Sequence, residues 1–141
     1  MEQRDYLLRQ IELMTQALVA LIRKLTGLKE DGSASDEEIE QLTDEMLTEQ
    51  LGMELAEILE IPLTEITDKI VSIKGIHLSN IELFAEVVYL NAKACLQTEK
   101  KVRLLMIALE LYEYADRESG TFSIERHAKI NDIHSQLDLH E

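Results

Sequence analysis

One cysteine, one proline and five glycines are spread over 141 residues; there is no tryptophan, and aromatic residues make up 4%. A lone cysteine excludes an internal disulfide and any multi-cysteine zinc site, and Cys95, set among apolar residues, reads as a buried, inert thiol. Clustered glycines, which phosphate-cradling loops require, are missing because every glycine stands alone. With so few aromatics the core must be built from Leu, Ile, Val, Ala and Met, which suits interlocking helices. No apolar run approaches the roughly 20 residues of a membrane span; the most apolar, Ala17 to Ile22, is closed by Arg23 and Lys24. The opening Met-Glu-Gln-Arg-Asp lacks the apolar stretch of a signal peptide, so the chain reads as cytoplasmic, with no membrane partner.

Bases are missing from one segment altogether. Between Glu30 and Asp68 there are 14 acidic residues and no Lys or Arg, whereas the remainder holds 14 acids and 14 bases. The whole net charge of −14 therefore belongs to this segment. Such a chain repels phosphate backbones, which argues against nucleic acid, and it can attract a basic protein surface; the plainer reading is a solvated helix face.

What is present is helical periodicity. Leu7, Ile11, Met14, Leu18, Leu21, Leu25 and Leu28 recur at alternating steps of four and three, predicting a helix from Asp5 to Leu28. Leu8, Val19 and Ile22 widen its apolar face, so more than one neighbour is expected to pack on it. Gly27 is the expected left-handed cap, and Lys29 to Ser35 a linker turning at Asp31-Gly32-Ser33. Ser35 with Glu38 forms a capping-box pattern for a second, surface helix carrying Ile39, Leu42, Met46 and Leu47 and ending at Gly52. Leu55 to Ile61 makes a short helix stopped by Pro62, and Ile66, Ile70, Val71 and Ile73 make another stopped at Gly75. The β-branched run Ile70 to Ile76 is read as helical because no second strand is available to pair with it.

Ser79 with Glu82 repeats the capping box and opens a helix from Asn80 to Gln97, with Ile81, Phe84, Ala85, Val88, Ala92 and Cys95 inward. Glu99 to Arg117 follows, apolar on most sides and so central. After Gly120, Ser123 starts a last helix whose expected apolar face is Ile124, Ala128, Ile130, Ile133 and Leu137. The expectation is a single all-α domain over 1–141: a long N-terminal helix (1–29), an acidic segment (30–68) and a helical hairpin plus C-terminal helix (79–138), in six or seven helices.

Chemical signatures are scarce. There is no HExxH motif and no nucleophile elbow, and no histidine has a glutamate three residues before it. The best constellation is His127, Asn131, His134 and Asp138, stepped by four, three and four along one helical stripe. His134 and Asp138 could ligate one metal, and His127 could join only if another segment closed the site; the competing reading is a solvated polar face. Tyr6, Tyr89, Tyr112 and Tyr114 are candidates for a peptide groove, or core rings with wet hydroxyls. Met14, Met46, Met53 and Met106 read as core filler. No catalytic residue and no cofactor site is assigned.

Two stretches carry a resemblance. Asp5-Tyr6-Leu7-Leu8-Arg9-Gln10-Ile11-Glu12, with Leu25-Thr26-Gly27-Leu28, resembles the first helix of an uncharacterised bacterial all-helical family, and Leu51-Gly52-Met53-Glu54-Leu55 leading to Pro62 resembles its middle region. That family places an acidic segment and tetratricopeptide-like hairpins after the first helix. Ala108-Leu109-Glu110-Leu111 and Leu105 match the second helix of such a repeat, while Lys101 and Ala92 depart from its pattern. No second copy recurs at the 34-residue period. The resemblance implies the fold and no activity. The repeat-like hairpin, the segregated charge and the missing catalytic signatures make a non-enzymatic protein-interaction module the expected function; a helical enzyme or ligand-binding protein with a pocket between helices is the alternative. A homodimer through the first helix is a further expectation.

Overall fold

The computed structural model describes residues 2–32 and 35–140. Among the described residues the chain forms seven helices and no strand: α1 (Glu2–Asp31), α2 (Asp36–Leu51), α3 (Leu55–Glu60), α4 (Leu63–Val71), α5 (Ile81–Ala94), α6 (Thr98–Ser119) and α7 (Ile124–Asp138). The run from Ile70 is helix to Val71 and then turns, as the lack of a pairing strand requires. None of the helices is long and apolar enough to cross a membrane.

Antiparallel α5 and α6 form the most extensive pair, and the rest is laid against them. α1 packs on α5, α2 fills the angle between α1 and α5, α4 covers α6 from one side, and α7 covers it from another. The core at the junction is mainly aliphatic: Leu18, Ile58, Ile66, Ile70, Ile81, Leu105 and Leu111 are fully buried, with the Phe84 ring among the fully buried side chains. Cys95 is buried at the end of α5.

Local chemistry sets most boundaries. Ser35 Oγ accepts from the Glu38 amide at 3.2 Å, and Gly52, at φ +70°, donates its amide to the Thr48 carbonyl, bracketing α2. Ile61 is extended before Pro62, and the guanidinium of Arg103 on α6 donates to the carbonyls of Leu59 and Ile61 that this break leaves free.

Two of the boundaries differ from the sequence reading as follows. α1 runs through Gly27 to Asp31, and Gly32 (φ +65°) takes the left-handed position instead. The turn expected at Asp31-Gly32-Ser33 lies partly outside the described residues, since Ser33 is not among them. The capping box at Ser79 and Glu82 does not form. Glu82 pairs with Arg126, Ser79 bonds to the His77 ring, and Asn80 stands at the helix start. Buried Asn80 accepts from the His77 amide and donates to the Gly75 carbonyl, the Ile11 carbonyl and Thr15 Oγ1, stapling the loop before α5 to α1. Gly75 (φ +94°) lies so close that a Cβ there would stand 3.2 Å from the Gln10 carbonyl oxygen.

α7 also presents a different face. Ile124 is 76% exposed and Ala128 is exposed, whereas Arg126 and Ile133 are buried and Ile130 and Leu137 lie half-buried. The inward stripe is Arg126, Ile130, Ile133 and Leu137, the same four-three-four spacing shifted back onto a charged residue.

Candidate docking surface

The apolar stripe of α1 is buried only in part. Met14, Leu18, Leu21 and Leu25 are at most 4% exposed, but Leu7 is 53% exposed and Leu8 55%. Asn80 opens α5 level with Ile11 and Thr15, so the first turns of α1 overhang the hairpin. There Tyr6 is held by Lys74, whose ammonium lies 2.6 Å from its hydroxyl and 4.4 Å from its ring centre.

Along its middle, α1 borders a groove against α2 of about 210 Å³. Small Ala17 and Ala20 form its α1 side, and half-buried Leu42 and Met46 form its α2 side. Glu45 and Glu49 stand on the rim, with Lys24 along the α1 side. The two glutamates also border a larger, open concavity of about 690 Å³ on the outer side of α2, with Glu37, Glu40, Asp44 and Glu54. Two of these acids have partners in the fold. Asp44 accepts from the Leu55 amide at 2.8 Å and caps α3, and Glu40 pairs with Lys100 of α6. Among the described residues Glu37, Glu45 and Glu49 make no ion pair.

The C-terminal stripe is drawn apart rather than together. His127 Nε2 lies 3.1 Å from Asp116 of α6 and its ring stacks on Phe122 at 4.6 Å, while His134 reaches toward Glu113 at 4.0 Å. Asn131 and Asp138 are exposed. Among the described residues no group of three His, Cys, Asp or Glu side chains is placed to hold a metal ion.

The polar seam beneath α7 was not visible in the periodicity. Arg126, with a side chain 7% exposed, donates to Glu82 of α5 at 2.6 Å, to Asp116 of α6 at 2.8 Å and to the Thr121 carbonyl. Lys129 pairs with Glu86 at 2.7 Å, and Asp132 accepts from Tyr89 and from Lys93 at 3.2 Å. The Arg126 bond, joined by His127, holds the Asp116 carboxyl below its ordinary range. Burial pushes Asp132 up, but the bonds from Tyr89 and Lys93 outweigh it and hold that carboxyl low. Burial, and then Asp132, raises Tyr89. Tyr112, 1% exposed, packs edge-on to Tyr89, and its hydroxyl finds no hydrogen-bond partner among the described residues. Burial, with Glu86 and Glu82 nearby, raises it further. The wet hydroxyl expected of a core tyrosine is therefore dry here.

No protein family, curated protein or solved structure matches the chain.

Proposed function

We propose that this protein is a non-enzymatic docking module whose α1–α2 groove receives a basic, amphipathic helical segment of a protein partner. The observation that carries this reading is an apolar floor bordered on the α2 side by Glu45 and Glu49, which make no ion pair among the described residues, with Lys24 on the α1 side. Ala17 and Ala20 leave room for another helix's apolar side chains, Leu42 and Met46 supply contact, and Glu45 and Glu49 stand where flanking Lys or Arg would lie. Glu45 and Glu49 are one helical turn apart and repel, at a cost of about 0.2–0.5 kcal/mol to an isolated helix. A basic partner relieves that repulsion, and a phosphate backbone would aggravate it.

The enzyme or ligand-pocket alternative has less to support it. A partly enclosed cavity beside Asn91 and Cys95 measures about 70 Å³. That is small beside the roughly 300–1,000 Å³ of an ordinary ligand pocket. The likeness of Leu105 and Ala108-Leu109-Glu110-Leu111 to the second helix of a tetratricopeptide repeat favours an interaction role. A second reading, self-association, is favoured by the exposed Leu7 and Leu8, where Arg4, Asp5, Arg9 and Glu12 sum to no charge. Light scattering that stays monomeric across micromolar concentrations removes it.

The docking reading is tested by fluorescence anisotropy with a labelled Leu/Lys amphipathic peptide about five turns long. Binding with a dissociation constant on the order of 10 μM, about −7 kcal/mol, is expected at physiological salt. The Glu45→Lys/Glu49→Lys variant should weaken it about tenfold or more, through lost attraction and new repulsion. Ala17→Gln/Ala20→Gln should do the same by filling the floor. A scrambled peptide of equal composition that binds as well, or a floor-filled variant that binds unchanged, would refute the reading.

A further inference from the structure

We propose that α7 is an ionic strap: it is held on the α5–α6 hairpin by a ladder of charges and lifts off as a unit before the rest of the bundle opens. The contrast with its neighbours is one of chemistry. α5 buries Ile81, Phe84, Ala85, Val87, Val88 and Ala92, whereas among the apolar side chains of α7 only Ile133 is fully buried. Beside a short apolar stripe of Ile130, Ile133 and Leu137 there are three rungs to α5: Arg126 to Glu82, Lys129 to Glu86, and Asp132 to Tyr89 and Lys93.

The partners are spaced three or four residues apart on both helices, so each rung sits about one helical turn from the next. Apart from Arg126, the charged side chains in the rungs are 25–38% exposed, which leaves their attraction open to screening by salt. Beneath the ladder, the Lys129 ammonium stands 5.9 Å from the Tyr112 ring, whose hydroxyl is dry and unpartnered among the described residues. Lifting α7 hydrates that hydroxyl, so one unmet bond already favours release. The connection is suited to a swing. Gly120 (φ +66°) ends α6, and the exposed Thr121 and Phe122 lead into the Ser123 cap. The lifted state would present Glu82, Glu86 and Tyr112 on the hairpin, a face separate from the α1–α2 groove.

The test is amide hydrogen exchange on the full chain at neutral pH, in low and then high sodium chloride. Amides of residues 130–137 should exchange about tenfold faster in high salt, the loss expected from screening several modest ion pairs, while those of α5 and α6 keep their rates. Glu82→Gln/Glu86→Gln should speed α7 alone by a similar factor and flatten its salt response. Tyr112→Phe, which deletes the dry hydroxyl, should slow α7. Exchange in α7 that ignores salt, that moves in step with α5 and α6 in any of these proteins, or that is not slowed by Tyr112→Phe overturns the proposal.

Discussion

Asn80 holds more of the fold together than any periodicity would suggest. Its buried side chain joins the loop at Gly75 and His77 to α1 at Ile11 and Thr15. Asn80→Ala would remove the partner of four part-buried groups, at about 1–3 kcal/mol, read as a lowered midpoint in urea unfolding. A midpoint unchanged from the parent would show that the staple contributes nothing. Gly27 predicts the opposite sign. It sits inside α1 with nothing within 4 Å of where a Cβ would lie, so Gly27→Ala should stabilise by about 0.5–1 kcal/mol in the same assay. Both residues show how far the sequence could be read. Ser79 and Asn80 are both good cap residues, and the choice was settled by partners at Ile11 and Thr15, far away in the chain. Gly27 is a good stop signal, but the helix continues past it and Gly32 ends it.

At the scale of whole helices, bounds set by neighbouring residues were legible. Ser35 and Gly52 bracket α2, and Pro62 separates α3 from α4. α7 was harder, because the expected face of Ile124, Ala128, Ile130, Ile133 and Leu137 shares its last three residues with the buried stripe of Arg126, Ile130, Ile133 and Leu137. Hydropathy favours the first; Glu82 and Asp116, on other helices, decide for the second. That choice makes α7 sensitive to acid. The groups facing its seam are Glu82, Glu86 and Lys93 from α5, Glu113 and Asp116 from α6, and its own Arg126, His127, Lys129 and Asp132. Asp116 and Asp132 are held below the ordinary carboxylate value, so their contribution is complete above about pH 4 and is lost as pH falls through their lower folded values. Protection of the α7 amides should therefore drop below about pH 4. It should drop less in Asp132→Asn, which has already lost that charge; an identical acid profile in the variant would contradict the assignment.

For the molecule as a whole, the all-helical class and the central α5–α6 hairpin followed from alternating three and four spacings, a signal that needs no knowledge of contacts. How far each stripe is covered did not. Leu7 and Leu21 share one stripe on α1, yet one is 53% exposed and the other 4%, because the hairpin ends between them. The candidate groove was equally hidden, since Ala17 and Glu45 become neighbours only when α2 folds back along α1. Charge segregation was visible in the sequence from the outset, and the fold places part of it along that groove. The most direct measurement is a nuclear magnetic resonance titration of the labelled protein with the basic amphipathic peptide. Shift changes confined to residues 13–24 of α1 and 42–50 of α2 are predicted; changes centred on α5–α7, or none at saturating peptide, would contradict the account.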